Sequence, residues 1–97
     1  MTRSLEALRD ATLSAVVRGP GTTSAELRAA VAHGEPPEEL RALVDKVRRR
    51  AYAVTDDDVA ALRTKYSEDQ LFEIIVAAAL GAADARLAAG LRALEGA

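Results

Sequence analysis

The chain has 97 residues, enough for one domain, with 13 lysines and arginines against 15 aspartates and glutamates and a net charge of −2. That balance weighs against a general nucleic-acid binder, whose footprint is a basic surface, and the absence of cysteine excludes disulfides, iron–sulfur clusters, cysteine–zinc sites and thiol chemistry. Hydrophobic residues make up 49%, but 22 of them are alanines and only 24 are Leu, Val, Ile, Phe or Met, so so short a chain is expected to complete its core by forming a homo-oligomer.

The segment from Met1 to Glu6 lacks the apolar stretch of a signal peptide. The longest uncharged apolar run, Ile74 to Ala83, has ten residues, where a membrane span needs about 20. A cytoplasmic location without membrane contact is the expectation. Alanine, leucine, arginine and glutamate dominate and favour helix, and no segment alternates apolar with polar residues as a half-buried strand would. The sequence therefore predicts an all-α fold, a single small bundle of about five helices over residues 1–97.

The first helix is predicted over about 4–18, with Leu5, Leu8, Thr12 and Val16 on one stripe and Gly19-Pro20-Gly21 as its stop. Thr23 and Glu26 have the spacing of a capping box, opening a short helix through Leu27, Ala30 and Val31 that ends at Gly34. Pro36-Pro37-Glu38-Glu39 reads as the next start, with Leu40, Leu43, Val44, Val47 and Ala51 facing inward. Thr55-Asp56-Asp57-Asp58 caps a fourth helix that turns Val59 and Leu62 inward, and Ser67-Glu68-Asp69-Gln70 is another capping box. The last helix is predicted from 68 to about 94. Its middle, Ile74 to Ala83, is apolar on every side, so it should be buried all round, centrally or by a second chain. Leu80, Ala83, Leu87, Gly90 and Leu94 keep heptad-like spacing that suits a helical partner. The residues expected at the oligomer interface are Phe72, Ile75, Val76, Ala79, Leu80, Ala83, Leu87 and Leu91.

Residues that could carry chemistry each have a plainer role. His33, the one histidine, closes a helix, where it interacts with the dipole; a lone histidine meets one requirement of a catalytic site. Asp56, Asp57 and Asp58 lack the alternating ligands and closing glutamate of a calcium loop and suit a helix N-terminus. Arg48, Arg49 and Arg50, with Lys46 and Arg41, form the main basic cluster, read as a solvated or salt-bridged face rather than a phosphate site. Gly19-Pro20-Gly21-Thr22-Thr23-Ser24 resembles a phosphate loop superficially but lacks its lysine and preceding strand. Glu73 starts the apolar run; if buried, its pKa would rise. Ion pairing across an oligomer interface is the preferred role for Glu73, Asp84 and Arg86. Tyr52, Tyr66 and Phe72 are expected to pack.

From about 38 to 94 the chain resembles the carboxymuconolactone decarboxylase and alkylhydroperoxidase D-like superfamily. The resemblance is strongest from Val54 to Arg63 (VTDDDVAALR), and continues from Tyr66 to Val76 (YSEDQLFEIIV) and from Arg86 to Leu91 (RLAAGL). It implies an all-helical bundle whose members assemble through these helices into trimers, hexamers or other oligomers. The chain departs from the family where the family's chemistry resides. Peroxidase members use two cysteines separated by two residues with a nearby histidine and glutamate, and decarboxylase-like members use a histidine and acidic residues largely in the same segment. This chain lacks the cysteines and that segment. The resemblance therefore carries over no catalytic, cofactor or metal residue. The expected function is a non-catalytic, oligomer-forming protein on this scaffold, acting as an assembly, regulatory or partner subunit, with a small molecule or protein as its further ligand. Two alternatives stay open. One is a cysteine-independent decarboxylase or isomerase with His33, Glu73 or an arginine in an intersubunit pocket. The other is nucleic-acid binding through Arg48, Arg49 and Arg50.

Overall fold

The computed structural model of the chain describes residues 11, 14, 21–50 and 53–96. The helix expected over 4–18 lies outside the described residues apart from Ala11 and Ser14, both helical; Gly19, Pro20, Ala51 and Tyr52 lie outside as well. Among the described residues there are four α-helices and no strand. They are α1 (Ala25–Ala32), α2 (Arg41–Arg50), α3 (Asp56–Ala60) and α4 (Glu68–Gly96), with 3-10 turns at Glu38–Leu40 and Ala61–Thr64.

The ends of α1 follow from its flanking residues. Its N-cap is Ser24, whose hydroxyl accepts from the Leu27 backbone N–H at 3.1 Å. The cap is thus one residue later than the expected Thr23, because Thr23 gives its hydroxyl to Glu73 instead. At the other end Gly34 adopts φ +77°, its N–H donates to Val31 O at 3.1 Å, and the Glu35 N–H donates to Ala30 O at 2.8 Å. These two bonds make a Schellman motif with His33 as C-cap. Gly34→Ala should cost about 1–2 kcal/mol, the left-handed penalty of an L-residue, read as a lower urea midpoint at unchanged slope. Its methyl would also stand 3.3 Å from Arg48 Nε.

The Glu38–Leu40 turn follows Pro37 and feeds α2, whose Leu43, Val44 and Val47 are buried and whose last turn carries Arg48, Arg49 and Arg50, where cations offset the helix dipole. At the start of α3 the Asp58 carboxylate accepts from the Thr55 N–H at 2.7 Å and hydroxyl at 3.2 Å. The expected fourth helix is shorter than a regular one, tightening into the second 3-10 turn after Ala60, yet Val59 and Leu62 do turn toward the core. Ser67 and Gln70 complete a reciprocal capping box at α4: the Ser67 N–H donates to Gln70 Oε1 at 2.9 Å, and the Gln70 N–H to Ser67 Oγ at 3.1 Å.

The core joins α1, the first 3-10 turn, α2 and one face of α4. Val31, Leu40, Leu43, Val44, Val47, Leu71, Ile74, Ala77 and Ala78 are buried together, with Leu27, Val54, Val59, Leu62, Tyr66, Ile75 and Ala79 packed around them. Small residues let the helices close in. Gly81 is buried against the last turn of α1, where an added Cβ would meet the Ala32 carbonyl oxygen at 2.0 Å. Among the described residues, α1 and α2 pack on one side of α4. Within one chain the segment expected to be buried all round is covered in part: Ile74, Ala77, Ala78, Gly81 and Ala82 are buried, Ile75, Val76, Ala79 and Leu80 are half-buried and Ala83 is exposed, while outside it Phe72 is 67% exposed and Leu94 75% exposed. Phe72, expected to pack and also expected at the oligomer interface, is exposed in the single chain.

Candidate functional site

Two features remain after the core is assigned. The first is the outer face of α4. At 3.6 residues per turn, the buried Leu71, Ile74, Ala77, Ala78, Gly81 and Ala82 share one side, while the buried Leu91 falls on the opposite side, beside Leu80 and Leu87. Phe72, Val76, Leu80, Ala83, Leu87, Gly90 and Leu94 share the other. From Val76 onward their spacing alternates four and three residues, the seam of a two-helix contact. Of the residues expected at the interface, Phe72, Ala83 and Leu87 are exposed, Ile75, Val76, Ala79 and Leu80 are half-buried, and Leu91, 8% exposed, lies inside the chain. By length and composition alone α4 could also cross a bilayer; 33% of its most apolar window is buried within the chain. Core helices of soluble proteins share that property, and Asp84 and Arg86 would each cost about 2.5–3.5 kcal/mol at a bilayer centre.

The second feature is built from arginines. Arg48, on the last turn of α2, donates through Nη1 to the Ala32 carbonyl at 2.7 Å, satisfying a carbonyl at the C-terminal end of α1. Arg86, on α4, donates through Nη2 to the Arg48 carbonyl at 2.8 Å, doing the same for α2. Arg48 and Arg86 line an open cleft of about 350 Å³ together with Asp45, Arg49, Ala82 and Ala85. The expected basic cluster thus divides. Arg41 pairs with Glu38 at 3.3 Å and Lys46 with Asp58 at 2.8 Å. Among the described residues, Arg48, Arg49 and Arg86 pair with no carboxylate.

Glu73 takes part in neither feature. It ties the segment before α1 to α4. Its Oε2 accepts from the Thr22 N–H at 2.7 Å and the Thr22 hydroxyl, and its Oε1 from the Thr23 N–H at 3.0 Å and the Thr23 hydroxyl at 2.7 Å. The buried Arg28 lies 3.9 Å away. The hydroxyls of Thr22 and Thr23, then their backbone N–H groups, lower its pKa from 4.5 to about 2. Glu73 is only half-buried, so the condition for a raised pKa is not met, and four donors to the charged form outweigh the desolvation it does suffer; these partners of Glu73 lie in its own chain. Arg86 likewise finds its bond within the chain. The loop at Gly21-Thr22-Thr23 is an acceptor's cradle for Glu73 and not a phosphate loop.

The remaining candidates resolve into structure. His33 is the exposed C-cap of α1, and neither it nor Glu73 lines the arginine cleft. The Lys46 hydrogen bond, then that of the Thr55 N–H, lowers the pKa of Asp58. Hydrogen bonds from Lys65 and Tyr66 lower that of Glu39, and Glu39 in turn raises that of Tyr66. No group of three or more His, Asp or Glu side chains among the described residues could hold a metal ion. Sequence reasoning missed Asp45 and the convergence of Arg86 on α2. The spacing of Asp45, Arg48 and Arg49, at i, i+3 and i+4, does place them on one helix face, but only the fold brings α4 across it. Compared with protein-family models, curated proteins and solved structures, the chain matches none.

Proposed function

We propose that this chain is a non-catalytic, oligomer-forming subunit in which a second copy covers the outer face of α4, and that it serves as an assembly, regulatory or partner subunit. The observation that carries this reading is the apolar seam from Phe72 to Leu94. It spans 23 residues, about 33 Å from first to last at 1.5 Å per residue, and Phe72, Leu87 and Leu94 are exposed along it. A seam of regular four-and-three spacing is self-complementary, so two copies related by a two-fold axis bury the same residues on both sides. The resemblance of residues 38–94 to the alkylhydroperoxidase D-like superfamily supports the same reading: it proposes a scaffold of about five helices that associates through this region, without the family's thiol chemistry.

The test is the mass of the full chain in solution across a concentration series, by sedimentation or light scattering. The expected result is an oligomer that Phe72→Glu with Leu87→Glu converts to a monomer of unchanged helicity, because both residues lie outside the core. A wild-type chain that stays monomeric at the highest concentration would overturn the reading, as would its recovery in a floated membrane fraction.

A further inference from the structure

We infer that the cleft between α2 and α4 binds the phosphoryl group of a small hydroxyl-bearing phosphate ester through Arg48, Arg49 and Arg86. Three arginines line it together with one acidic residue, Asp45. Two of them are held in place by neutral backbone carbonyls, at 2.7 and 2.8 Å, so anchoring fixes their direction without neutralising their charge. Each spends one of its five N–H donors on that anchor and keeps others for a ligand. Among the described residues none of the three is neutralised by a carboxylate partner.

The shape selects the ligand class. A tetrahedral phosphoryl group offers several oxygens at once and matches forked guanidinium donors. Asp45 repels a bare polyanion but accepts a hydrogen bond from a hydroxyl, which favours a phosphorylated polyol over inorganic phosphate. The cleft's volume, about 350 Å³, lies at the small end of ligand pockets. A nucleic acid is disfavoured because the positive charge is one short cluster on a chain of net charge −2, not a stripe that tracks a backbone.

The experiment is a titration of the full chain followed at the arginine Nε–H signals by nitrogen–proton NMR, with glucose 6-phosphate, glucose, pyrophosphate and a single-stranded oligonucleotide as probes. Glucose 6-phosphate should give saturable shifts at Arg48, Arg49 and Arg86, and glucose none. Arg49→Ala, exposed and outside the core, should weaken the apparent Kd about tenfold, the scale of one charge-assisted contact. Asp45→Asn should tighten pyrophosphate and weaken glucose 6-phosphate. The inference fails if no probe saturates, if Arg49→Ala binds as the wild type does, or if the oligonucleotide alone saturates the site.

Discussion

Gly81→Ala is expected to lower the unfolding free energy by about 1–3 kcal/mol, the range for forcing a methyl into a packed contact. At an open helical position the same change stabilises by about 0.5–1 kcal/mol, because alanine restricts the unfolded chain and favours helix. The contact decides the sign. A Cβ on Gly81 would lie 2.0 Å from the Ala32 carbonyl oxygen and 2.7 Å from its carbonyl carbon and Cα. All three are backbone atoms, so no side chain can swing aside, and α1 has to move away from α4. That carbonyl also accepts from Arg48 and belongs to the last residue of α1, just before the Schellman turn. Displacing it loosens the link between α1 and α2 as well. Gly90 supplies the control, since a Cβ there meets nothing within 4 Å. Urea denaturation of both variants at low protein concentration should move in opposite directions. A Gly81→Ala chain as stable as the wild type would show that the two helices do not approach this closely.

The caps and the core of this fold are legible in the sequence, and the side-chain network is not. Ser67 with Gln70 and Gly34 mark helix ends through interactions within a few residues, so local spacing identifies them. The inward stripe Leu40, Leu43, Val44 and Val47 follows from helical periodicity in the same way. Periodicity fails where a helix has apolar residues on every side. For α4 it gives no direction, and the division into a core face and an open face comes from which side α1 and α2 reach through Ala77, Ala78 and Gly81. The Thr23 cap fails for a related reason: Thr23 and Ser24 are equally good local acceptors, and a glutamate 50 residues away in the chain takes one of them. The arginine cleft depends on the same kind of distant encounter, since Arg86 reaches Arg48 across 38 positions. Local chemistry nominates the residues, but only the packing of α4 decides their partners.

Because α4 is held on one face by its contacts with α1 and α2, the Glu73 clasp should make stability pH-dependent. The folded pKa of Glu73 is lowered to about 2 from 4.5, so between these values the unfolded chain binds the extra proton. Its contribution is fully present above pH 4.5 and is lost as the pH falls toward 2. Asp58 and Glu39 are shifted in the same direction by Lys46 and Lys65, so the wild-type acid transition alone cannot isolate Glu73. Comparison with Glu73→Gln does. Glutamine keeps the length but replaces one acceptor oxygen with a donor facing the Thr22 and Thr23 donors, and it removes the negative charge 3.9 Å from the buried Arg28. The stability gap between wild type and variant should be constant from neutral pH down to about 5 and then narrow through the window from 4.5 to 2, measured by urea denaturation at each pH. The gap narrows because the protonated wild-type carboxyl also becomes a donor and forfeits charge-assisted bonds. A gap that stays constant through that window would mean that the two threonines do not hold the ionised carboxylate.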